Sequence, residues 1–326
     1  MAGLACARTL ADAGRPVRLL ERSRGVGGRC ATRRVEEQPI DFGPSFLHGS
    51  DPRFVAAARH SASPLLEGWP LRVRGHGAPC HPSSFREGEL QFVYADGLRA
   101  LPSSLAAGLG VQLETAVEKL ERSDGAFELS LSGGSRLRCG KLVLAAALEQ
   151  SVALLKPLSL SLKPLRGTLS LLESMGSLAC VALLAGYPRG GTPLSWDVWY
   201  PEDSPVLQLL SHDSAKRQEP RFDALVLQAR PRWSREHLED TDESLRGALL
   251  AEAARLLGPW AAEPAWAQVH RWRFSRTNPG TELTAPILHR FGDGFLGLAG
   301  DSFASGGGVE GAFLSGVQLA ERILKA

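Results

Sequence analysis

The C-terminal end of the chain constrains the fold more than any other segment. The apolar run FLGLAGD at 295–301 predicts a strand, and the three consecutive glycines at 306–308 stand before a helical pattern. The predicted helix has one apolar stripe, formed by Val309, Phe313, Val317, Ala320 and Leu324. Glycines before a helix leave free N–H groups at the positive end of its dipole, which favours an anion or an electron-rich ring edge.

Asp301 stands at the end of this predicted strand. Its carboxylate could hold a hydroxyl of a polyol. A helix-capping or turn aspartate is the alternative, but that role would not require the three glycines that follow.

The N-terminal residues predict part of a second unit of the same style. Residues 2–13 predict a small-residue helix, and VRLLE at 17–21 predicts a strand that ends in an acid. These two elements correspond to the second half of a dinucleotide-binding βαβ unit. Gly3 corresponds to the last glycine of its G-x-G-x-x-G motif. Glu21 lies 18 residues after Gly3, close to the spacing of a carboxylate that binds a ribose diol. A solvent-facing Glu at a strand end is the alternative.

A glycine-rich loop follows this strand. Gly25, Gly27 and Gly28 come directly after it, and Arg29 and Arg33 are close by. Glycines let the backbone approach a diphosphate, and the arginines can supply positive charge. Because a simple turn would need only one glycine, we interpret the segment as a diphosphate-contacting loop.

Composition excludes several classes of partner. The 326 residues carry 37 basic and 35 acidic side chains without a long run of either sign, so we expect no nucleic-acid partner. We expect no membrane span, because no uncharged apolar stretch reaches about 18 residues, and no secretory signal is visible. The five cysteines form no C-x-x-C, which favours reduced thiols in a cytoplasmic protein. His76 and His81 beside Cys80 have no partner cluster, so we expect no metal site.

The middle of the chain changes in character. Runs at 111–117, 126–131 and 141–147 predict strands, the last of them buried on both faces. Residues 160–235 contain proline-punctuated apolar runs, which predict an antiparallel sheet. Further predicted elements are short helices at 53–60 and 98–109, a helix at 242–257 and a strand at 267–274.

The α/β pattern at both ends of the chain predicts a discontinuous domain. The predicted fold class is α/β, a Rossmann-like dinucleotide-binding domain with an inserted α+β domain built on an antiparallel sheet. The first domain would comprise residues 1–50, 92–158 and 285–326, and the inserted substrate domain residues 51–91 and 159–284.

The strand predicted at 267–274 carries candidates for substrate contact. His270 and Trp272 would share one face, and Arg271 and Arg273 the other. One face could present a ring and an imidazole to a substrate, and the other could hold carboxylates or a diphosphate. An ordinary half-buried strand is the alternative. Further candidates are Asp41, Phe42 and His48, and also Trp196 and Trp199, which could instead pack in a core.

Four segments together resemble the FAD-binding domain of flavoprotein amine oxidases and, within that superfamily, the renalase group. They are GGRCATRR (27–34), IDFGPSFLHG (40–49), VHRWRFSRTNP (269–279) and LAGDSFASGGGVEGAFLSG (298–316). The resemblance covers most of the chain and implies an FAD-binding domain of the glutathione-reductase and amine-oxidase type.

The resemblance also implies site residues. The implied FAD-binding set is Gly3, Glu21, Arg22, Gly27, Gly28, Arg29, Gly300, Asp301, Gly308, Val309 and Glu310. Within it the acid at 21 would bind the adenosine ribose, residues 27–29 the diphosphate and ribityl side, and the acid at 301 the ribityl phosphate region. Residues 309–310 would begin the helix near the flavin pyrimidine. His270 and Trp272 would lie near the flavin as catalytic residues.

The resemblance implies an activity as well. Renalases oxidise unproductive dihydronicotinamide isomers of NAD(P)H, passing a hydride to FAD and electrons to oxygen. A flavin amine oxidase is the alternative, although only three tyrosines occur and none lies in 298–316 to form an aromatic cage. The arginines at 271, 273 and 276 would suit a phosphate-bearing nucleotide better than an amine.

The family carries a complete G-x-G-x-x-G, of which this sequence keeps only Gly3. We expect a start that was misassigned about 10–15 residues too late, because a central strand supplies hydrogen bonds to both of its neighbours. The alternative is a chain that lacks the strand and acts as a flavin-free binding protein.

Overall fold

The computed structural model of the chain describes residues 1–76, 85 and 87–325. Cys80 and His81, which bear on the metal-site argument, lie outside these residues. Every helix in the described ranges is too short or too polar to cross a membrane.

The described part of the chain contains groups of strands separated by single helices or pairs of helices. The helices are α1 Ala2–Asp12, α2 Pro52–Arg59, α3 Ala100–Ala106, α4 Leu148–Ser161, α5 Lys163–Met175, α6 Pro231–Glu236, α7 Asp242–Leu257 and α8 Gly308–Leu324. The strands of the first half are β1 Leu19–Leu20, β2 Thr32–Val35, β3 Gln38–Asp41, β4 Leu47–Gly49, β5 Leu65–Glu67, β6 Val73–Gly75, β7 Leu90–Tyr94, β8 Val111–Gln112, β9 Val117–Ser123, β10 Ala126–Leu131, β11 Arg136–Cys139 and β12 Lys141–Leu144. Those of the second half are β13 Ser177–Tyr187, β14 Val198–Tyr200, β15 Leu207–His212, β16 Asp223–Ala229, β17 Trp266–Thr277, β18 Ile287–Phe291 and β19 Gly294–Leu298.

These elements form two compact units. Unit 1 comprises Met1–Gly28, Pro102–Ser177 and Arg276–Ala326, and unit 2 comprises Arg29–Leu101 and Leu178–Ser275. The mixed α/β architecture confirms the predicted fold class. Unit 1 is discontinuous because the chain returns to it at its C-terminal end.

Unit 1 is the α/β part. Two parallel strand pairs, β1 with β8 and β12 with β19, stand beside the antiparallel sheet β11-β10-β9. Helix α1 packs against α8, and the buried residues Ala2, Cys6 and Leu319 are part of their shared core. The parallel strand β19 therefore leads directly into the loop before α8, as the glycine pattern predicts.

Unit 2 is built on a six-stranded sheet in the order β17-β13-β16-β15-β14-β6. Strand β13 lies inside this sheet, and its nine residues from Ala179 to Tyr187 are all buried. One face of the sheet packs on α7 through Leu245 and Leu249. The opposite face packs on Ile40 and Phe42 of the β3 region.

The prediction of an antiparallel sheet over 160–235 is wrong for its first part. Residues 163–175 form α5, whose buried residues Leu165, Leu169, Leu172 and Met175 follow a helical period. Pro164 lies in the first turn of this helix, where the absent N–H has no cost, so the proline does not mark a strand boundary.

The prediction that β12 is buried on both faces is also wrong. Lys141 is exposed, and Leu142 and Val143 are only half-buried. Among the described strands β12 pairs with β19 alone, so one of its edges has no neighbouring strand to cover it. By contrast, α7 spans the residues 242–257 predicted for it.

The domain ranges inferred from the sequence divide the chain differently from these units and stay an interpretation. Residues 29–50 are grouped with unit 2, and residues 159–177 with unit 1. The first grouping arises because the Asp41 carboxylate binds Lys216 and Arg217 of the same unit. The second arises because α5 packs against α4.

Candidate functional site

The residues Gly306, Gly307 and Gly308, which we call the glycine cradle, form the turn into α8. Their φ angles are +79°, +57° and +69°, a left-handed conformation that residues other than glycine rarely adopt. A Cβ atom on Gly306 or Gly308 would meet no protein atom within 4 Å. A Cβ on Gly307, by contrast, would lie 3.3 Å from Glu282 Oε1. Gly306 and Gly308 therefore present open backbone at the N-terminus of a 17-residue helix, where an anion is favoured.

Asp301 is fixed beside the cradle. Its side chain is buried, and Oδ2 accepts hydrogen bonds from Thr277 N at 3.2 Å and Thr277 Oγ1 at 3.1 Å. The Asp301 carbonyl oxygen lies 3.3 Å from the position that a Cβ on Gly307 would take. Gly300, the residue before it, donates its N–H to Ser315 Oγ of α8 at 3.0 Å. Residues 300–308 are thus held as one piece, with Val309 and Glu310 half-buried in the first turn of the helix.

Gly3 lies at a close contact rather than at an open surface. A Cβ atom there would stand 3.2 Å from Ala145 Cβ, just after β12. One face of α1 also meets Gly316 of α8, where a Cβ would lie 2.2 Å from the Ala2 carbonyl oxygen. These contacts show that Gly3 permits close packing of α1, which is the role of the third glycine in such a motif.

Glu21 lies at the end of β1. Its N–H donates to Gln112 O at 2.9 Å, and its carbonyl accepts from Thr115 N at 2.9 Å. Its carboxylate Oε1 accepts a hydrogen bond from Ser23 N at 2.8 Å, which folds the side chain over its own turn. Arg22 beside it is exposed.

The loop after Glu21 also contains glycines in a positive-φ conformation, of which Gly27 is buried and Gly28 exposed. Gly27 and Gly28 have φ angles of +123° and +52°, and a Cβ on Gly28 would meet no atom within 4 Å. Open glycine backbone, a helix N-terminus and a buried carboxylate are the groups that a diphosphate and a polyol require. The residues of unit 1 therefore fit a dinucleotide such as FAD.

Unit 2 contains a cluster of three rings, Phe42, His270 and Trp272, which we call the ring cluster. The centroids of His270 and Trp272 lie 4.2 Å apart, which confirms that they share a face of β17. Phe42 stacks on Trp272 at 5.3 Å and meets His270 edge-on at 4.8 Å. Trp272 Nε1 donates a hydrogen bond to the Phe42 carbonyl oxygen at 2.8 Å. The cluster joins positions 230 residues apart in the chain.

The charges near the ring cluster are positive. Burial, and to a smaller extent the charges of Arg33 and Arg271, together lower the pKa of His270 to about 4. The Arg33 guanidinium carbon lies 4.9 Å from the centroid of the Phe42 ring, and Arg33 Nη1 donates to Gln268 Oε1 at 2.7 Å. His270 is consequently a neutral imidazole at neutral pH.

Arg271 and Arg273 lie on the opposite face of β17, as predicted, and bind carboxylates there. Arg271 Nη1 donates to Asp242 Oδ1 at 2.5 Å, and Arg273 Nη2 donates to Glu239 Oε2 at 2.8 Å. Carboxylates are one of the two partners predicted for this face, and the phosphate-binding lining of Arg271, Arg273 and Arg276 stays a prediction.

Arg29 opens unit 2 and donates to the Ser275 carbonyl oxygen at 3.3 Å. Its own carbonyl lies 1.9 Å from the position of a Cβ on Gly43, so only glycine fits at position 43. Arg29 is the one residue of the implied FAD-binding set that belongs to unit 2.

The remaining candidates lie elsewhere in unit 2. His48 pairs with Glu89 and stacks on Phe85 at 3.9 Å. Trp196 and Trp199 are buried and belong to the core beneath α7, which favours their packing role.

Sequence reasoning missed a buried group of four charged residues, which we call the charge cluster. It consists of Asp41, Asp213, Lys216 and Arg217, whose side chains are at most 4% exposed. Lys216 Nζ lies 3.2 Å from an Asp41 oxygen and 2.7 Å from an Asp213 oxygen. Arg217 Nη2 lies 3.0 Å and 2.9 Å from the same two carboxylates. The segment DSAKR gives no signal, because an i, i+3 acid–base pair is usually solvated.

Comparison with known proteins identifies the family and the fold. The profile of the family described as flavin containing amine oxidoreductase matches residues 1–79 and 75–324. An Exiguobacterium sp. 255-15 protein assigned as a protoporphyrinogen oxidase is 15% identical, with a TM-score of 0.72 and coverage of 100% of this chain and 97% of that one. Wild-type putrescine oxidase bound to putrescine is 14% identical, with a TM-score of 0.67 and the same coverage, and a double mutant of that enzyme is 16% identical with a TM-score of 0.72.

These structures share the fold over the full length of the chain, and the family profile covers nearly all of it. The family requires FAD, which the open glycines of unit 1 fit. The chain belongs to the flavin containing amine oxidoreductase family, and it is an FAD-dependent oxidoreductase.

Proposed function

We propose that the protein oxidises a dihydronicotinamide, an isomer of NAD(P)H, with oxygen as the terminal electron acceptor. FAD, when bound, supplies the acceptance of a hydride. The chain must then bind the cofactor and hold the flat ring of the hydride donor beside it. It must also keep away charged groups that would disfavour the binding of that ring.

In this proposal unit 1 supplies most of the cofactor contacts. Glu21 would bind the adenosine ribose, and the backbone of Gly27 and Gly28 the diphosphate, with Gly3 allowing the close packing of α1. Asp301 would bind a ribityl hydroxyl, with Gly300 holding its position. Further members of the set are Arg22, Arg29, Gly308, Val309 and Glu310.

The observation that carries the substrate assignment is the positive charge beside the ring cluster. Arg33, whose guanidinium carbon lies 4.9 Å from the Phe42 centroid, supplies the positive charge on this face and disfavours a second cation. Arg271, by contrast, pairs with Asp242 on the opposite face of β17. An ammonium substrate would be repelled there, whereas a neutral dihydropyridine ring with a phosphate tail would be attracted. Phe42 and Trp272 provide stacked faces for such a ring.

The neutral imidazole of His270 supports the same assignment. It can exchange a hydrogen bond with the carboxamide of a nicotinamide ring without adding charge. His270 and Trp272 are therefore proposed as the residues that contact the substrate.

A flavin amine oxidase is the second candidate, favoured by the putrescine oxidase fold likeness. Stopped-flow bleaching of the protein-bound flavin separates the two. We expect dihydronicotinamide isomers to bleach the flavin and a panel of primary and secondary amines to leave it oxidised. Bleaching by amines alone would overturn the proposal.

Two arginine variants sharpen the test. Arg33→Gln should raise KM for a phosphate-bearing dihydronicotinamide about tenfold, since one charge-assisted interaction is lost. Arg273→Gln is the matched control, because Arg273 binds Glu239 on the other face of β17. Equal effects of both variants would contradict the assignment of the ring-cluster face to the substrate.

A further inference from the structure

The charge cluster does more than add charge to the interior of unit 2. Removing four charged groups from water costs free energy that their mutual attraction only partly returns, so such a cluster is weak as a source of stability. Its geometric effect is clear, because it holds one residue from several sides. That residue is Asp41, at the end of β3.

Asp41 is held at both its backbone and its side chain. Its N–H donates to Asp213 Oδ1 at 3.2 Å. Its Oδ1 accepts from Thr32 Oγ1 at 2.7 Å and from Leu98 N at 2.8 Å, and its Oδ2 accepts from Lys216 and Arg217. Burial alone would raise the pKa of Asp41, but the charges of the lysine and arginine and these hydrogen bonds hold it below its ordinary value.

The next residue is Phe42 of the ring cluster. Its carbonyl accepts the hydrogen bond from Trp272, and the carbonyl of Gly43 accepts one from Gln228 Nε2 at 2.5 Å. The segment 41–43 is thus fixed at one end by charges and at the other by rings. A displacement of Asp41 passes through a single peptide bond to the ring that touches both His270 and Trp272.

We propose that Asp213, Lys216 and Arg217 are positioning residues that act through Asp41 to fix the Phe42 ring against His270 and Trp272. The inference rests on the proposed function, since it gives these rings a part in placing the substrate. The three residues do not touch the substrate themselves.

The test uses the flavin-loaded protein and two kinds of change. Thr32→Val removes the hydrogen bond from the Thr32 hydroxyl to the Asp41 carboxylate, together with the one that this hydroxyl accepts from Arg99 N, and leaves every charge in place. The double variant Asp213→Asn/Lys216→Met removes one charge of each sign, so the cluster stays balanced. We expect each to lower the rate of flavin reduction about 10- to 100-fold per bound flavin, with the flavin content unchanged.

Coupling to Phe42 is the decisive readout. In a Phe42→Leu background the same two changes should cause no further loss of rate, because the ring that they position is absent. Independent losses that multiply would overturn the proposal, as would a lower thermal stability with an unchanged rate per bound flavin. If the double variant does not fold, Arg217→Lys takes its place in the same cycle, because it keeps every charge and changes only the contacts of residue 217, those with the two carboxylates among them.

A measurement without flavin gives a second readout. The stacking of Phe42 on Trp272 contributes to the near-ultraviolet circular dichroism of the apoprotein. Thr32→Val should change that spectrum in the same direction as Phe42→Leu, and an unchanged spectrum would count against the proposal. Glu252→Gln is the control, since Glu252 is a buried acid of α7 that binds Ser204 and Arg255.

The two proposals fail separately. If only amines bleach the wild-type flavin, the dihydronicotinamide assignment is wrong, and the coupling measured with an amine still decides whether the three residues position Phe42. If dihydronicotinamides bleach it and the losses multiply, the function stands and the positioning role is wrong.

Discussion

The glycine cradle of unit 1 and the ring cluster of unit 2 differ in what fixes their shape. The cradle is backbone: three consecutive residues with positive φ and no side chain, set before one helix. The ring cluster consists of side chains from β17 and the end of β3, held by one indole hydrogen bond and by the charge cluster behind Phe42. A local sequence pattern can specify the first, whereas the second exists only after distant segments have packed.

The largest expected effect concerns the charge cluster. Lys216→Met should lower the free energy of unfolding by about 3–5 kcal/mol, because it leaves two buried carboxylates with one cation. The balanced double variant Asp213→Asn/Lys216→Met should recover most of this loss. Chemical denaturation measures both, and a single variant as stable as the double one would contradict the view that unit 2 depends on this charge balance.

A change behind the cradle should have a smaller effect. Gly316→Ala in α8 would place a Cβ 2.2 Å from the Ala2 carbonyl oxygen, so α1 must move away at a cost of about 1–3 kcal/mol. Gly247→Ala in α7 is the control, because a Cβ there meets no atom within 4 Å and should stabilise the helix by up to about 1 kcal/mol. Thermal unfolding compares the two, and equal shifts would show that α1 and α8 are not closely packed.

The protonation of His270 should make stability depend on pH. Its folded pKa of about 4 lies below the ordinary 6.5, so the unfolded chain binds the proton more tightly between these values. Stability should therefore fall as the pH drops from about 6.5 towards 4. His270→Asn should flatten this dependence in a series of unfolding curves, although burial also lowers the pKa of His212 and His289, which leave a residual slope. An unchanged slope would place His270 in a more solvated setting.

The smallest effect is expected on the far face of β17. Glu239→Gln removes the partner of Arg273, and both side chains are largely exposed. An exposed ion pair contributes little to stability, so the melting temperature and the rate of flavin reduction should stay unchanged. A clear loss of rate would show that this face also serves the reaction.

The sequence predicted the parts that depend on local pattern. The strand, glycines and helix at the C-terminus and helix α7 are confirmed, because periodicity and glycine position specify them. Residues 163–175 were missed as a helix because proline-punctuated apolar runs resemble short strands. The shared face of His270 and Trp272 followed from strand alternation.

Other parts of the candidate site could not be predicted. Nothing in the segment DSAKR indicates that Lys216 is fully buried, since its burial depends on Asp41, 175 residues away. The particular ion pairs of Arg271 and Arg273 could not be predicted either, because their carboxylate partners in residues 239–242 precede them by about 30 positions. Long-range partners of this kind leave no trace in local composition.

The burial of strand β13 has a consequence for hydrogen exchange. Nine consecutive residues of this strand are covered, and β17 and β16 flank it within the sheet. Its amide hydrogens have no route to solvent through local fraying, so they can exchange only when the sheet of unit 2 opens as a whole. The two-residue strand β1 has no comparable cover. Amides of β13 should thus report the global stability of unit 2, while those near Glu21 report the local opening of the segment that precedes the glycine loop.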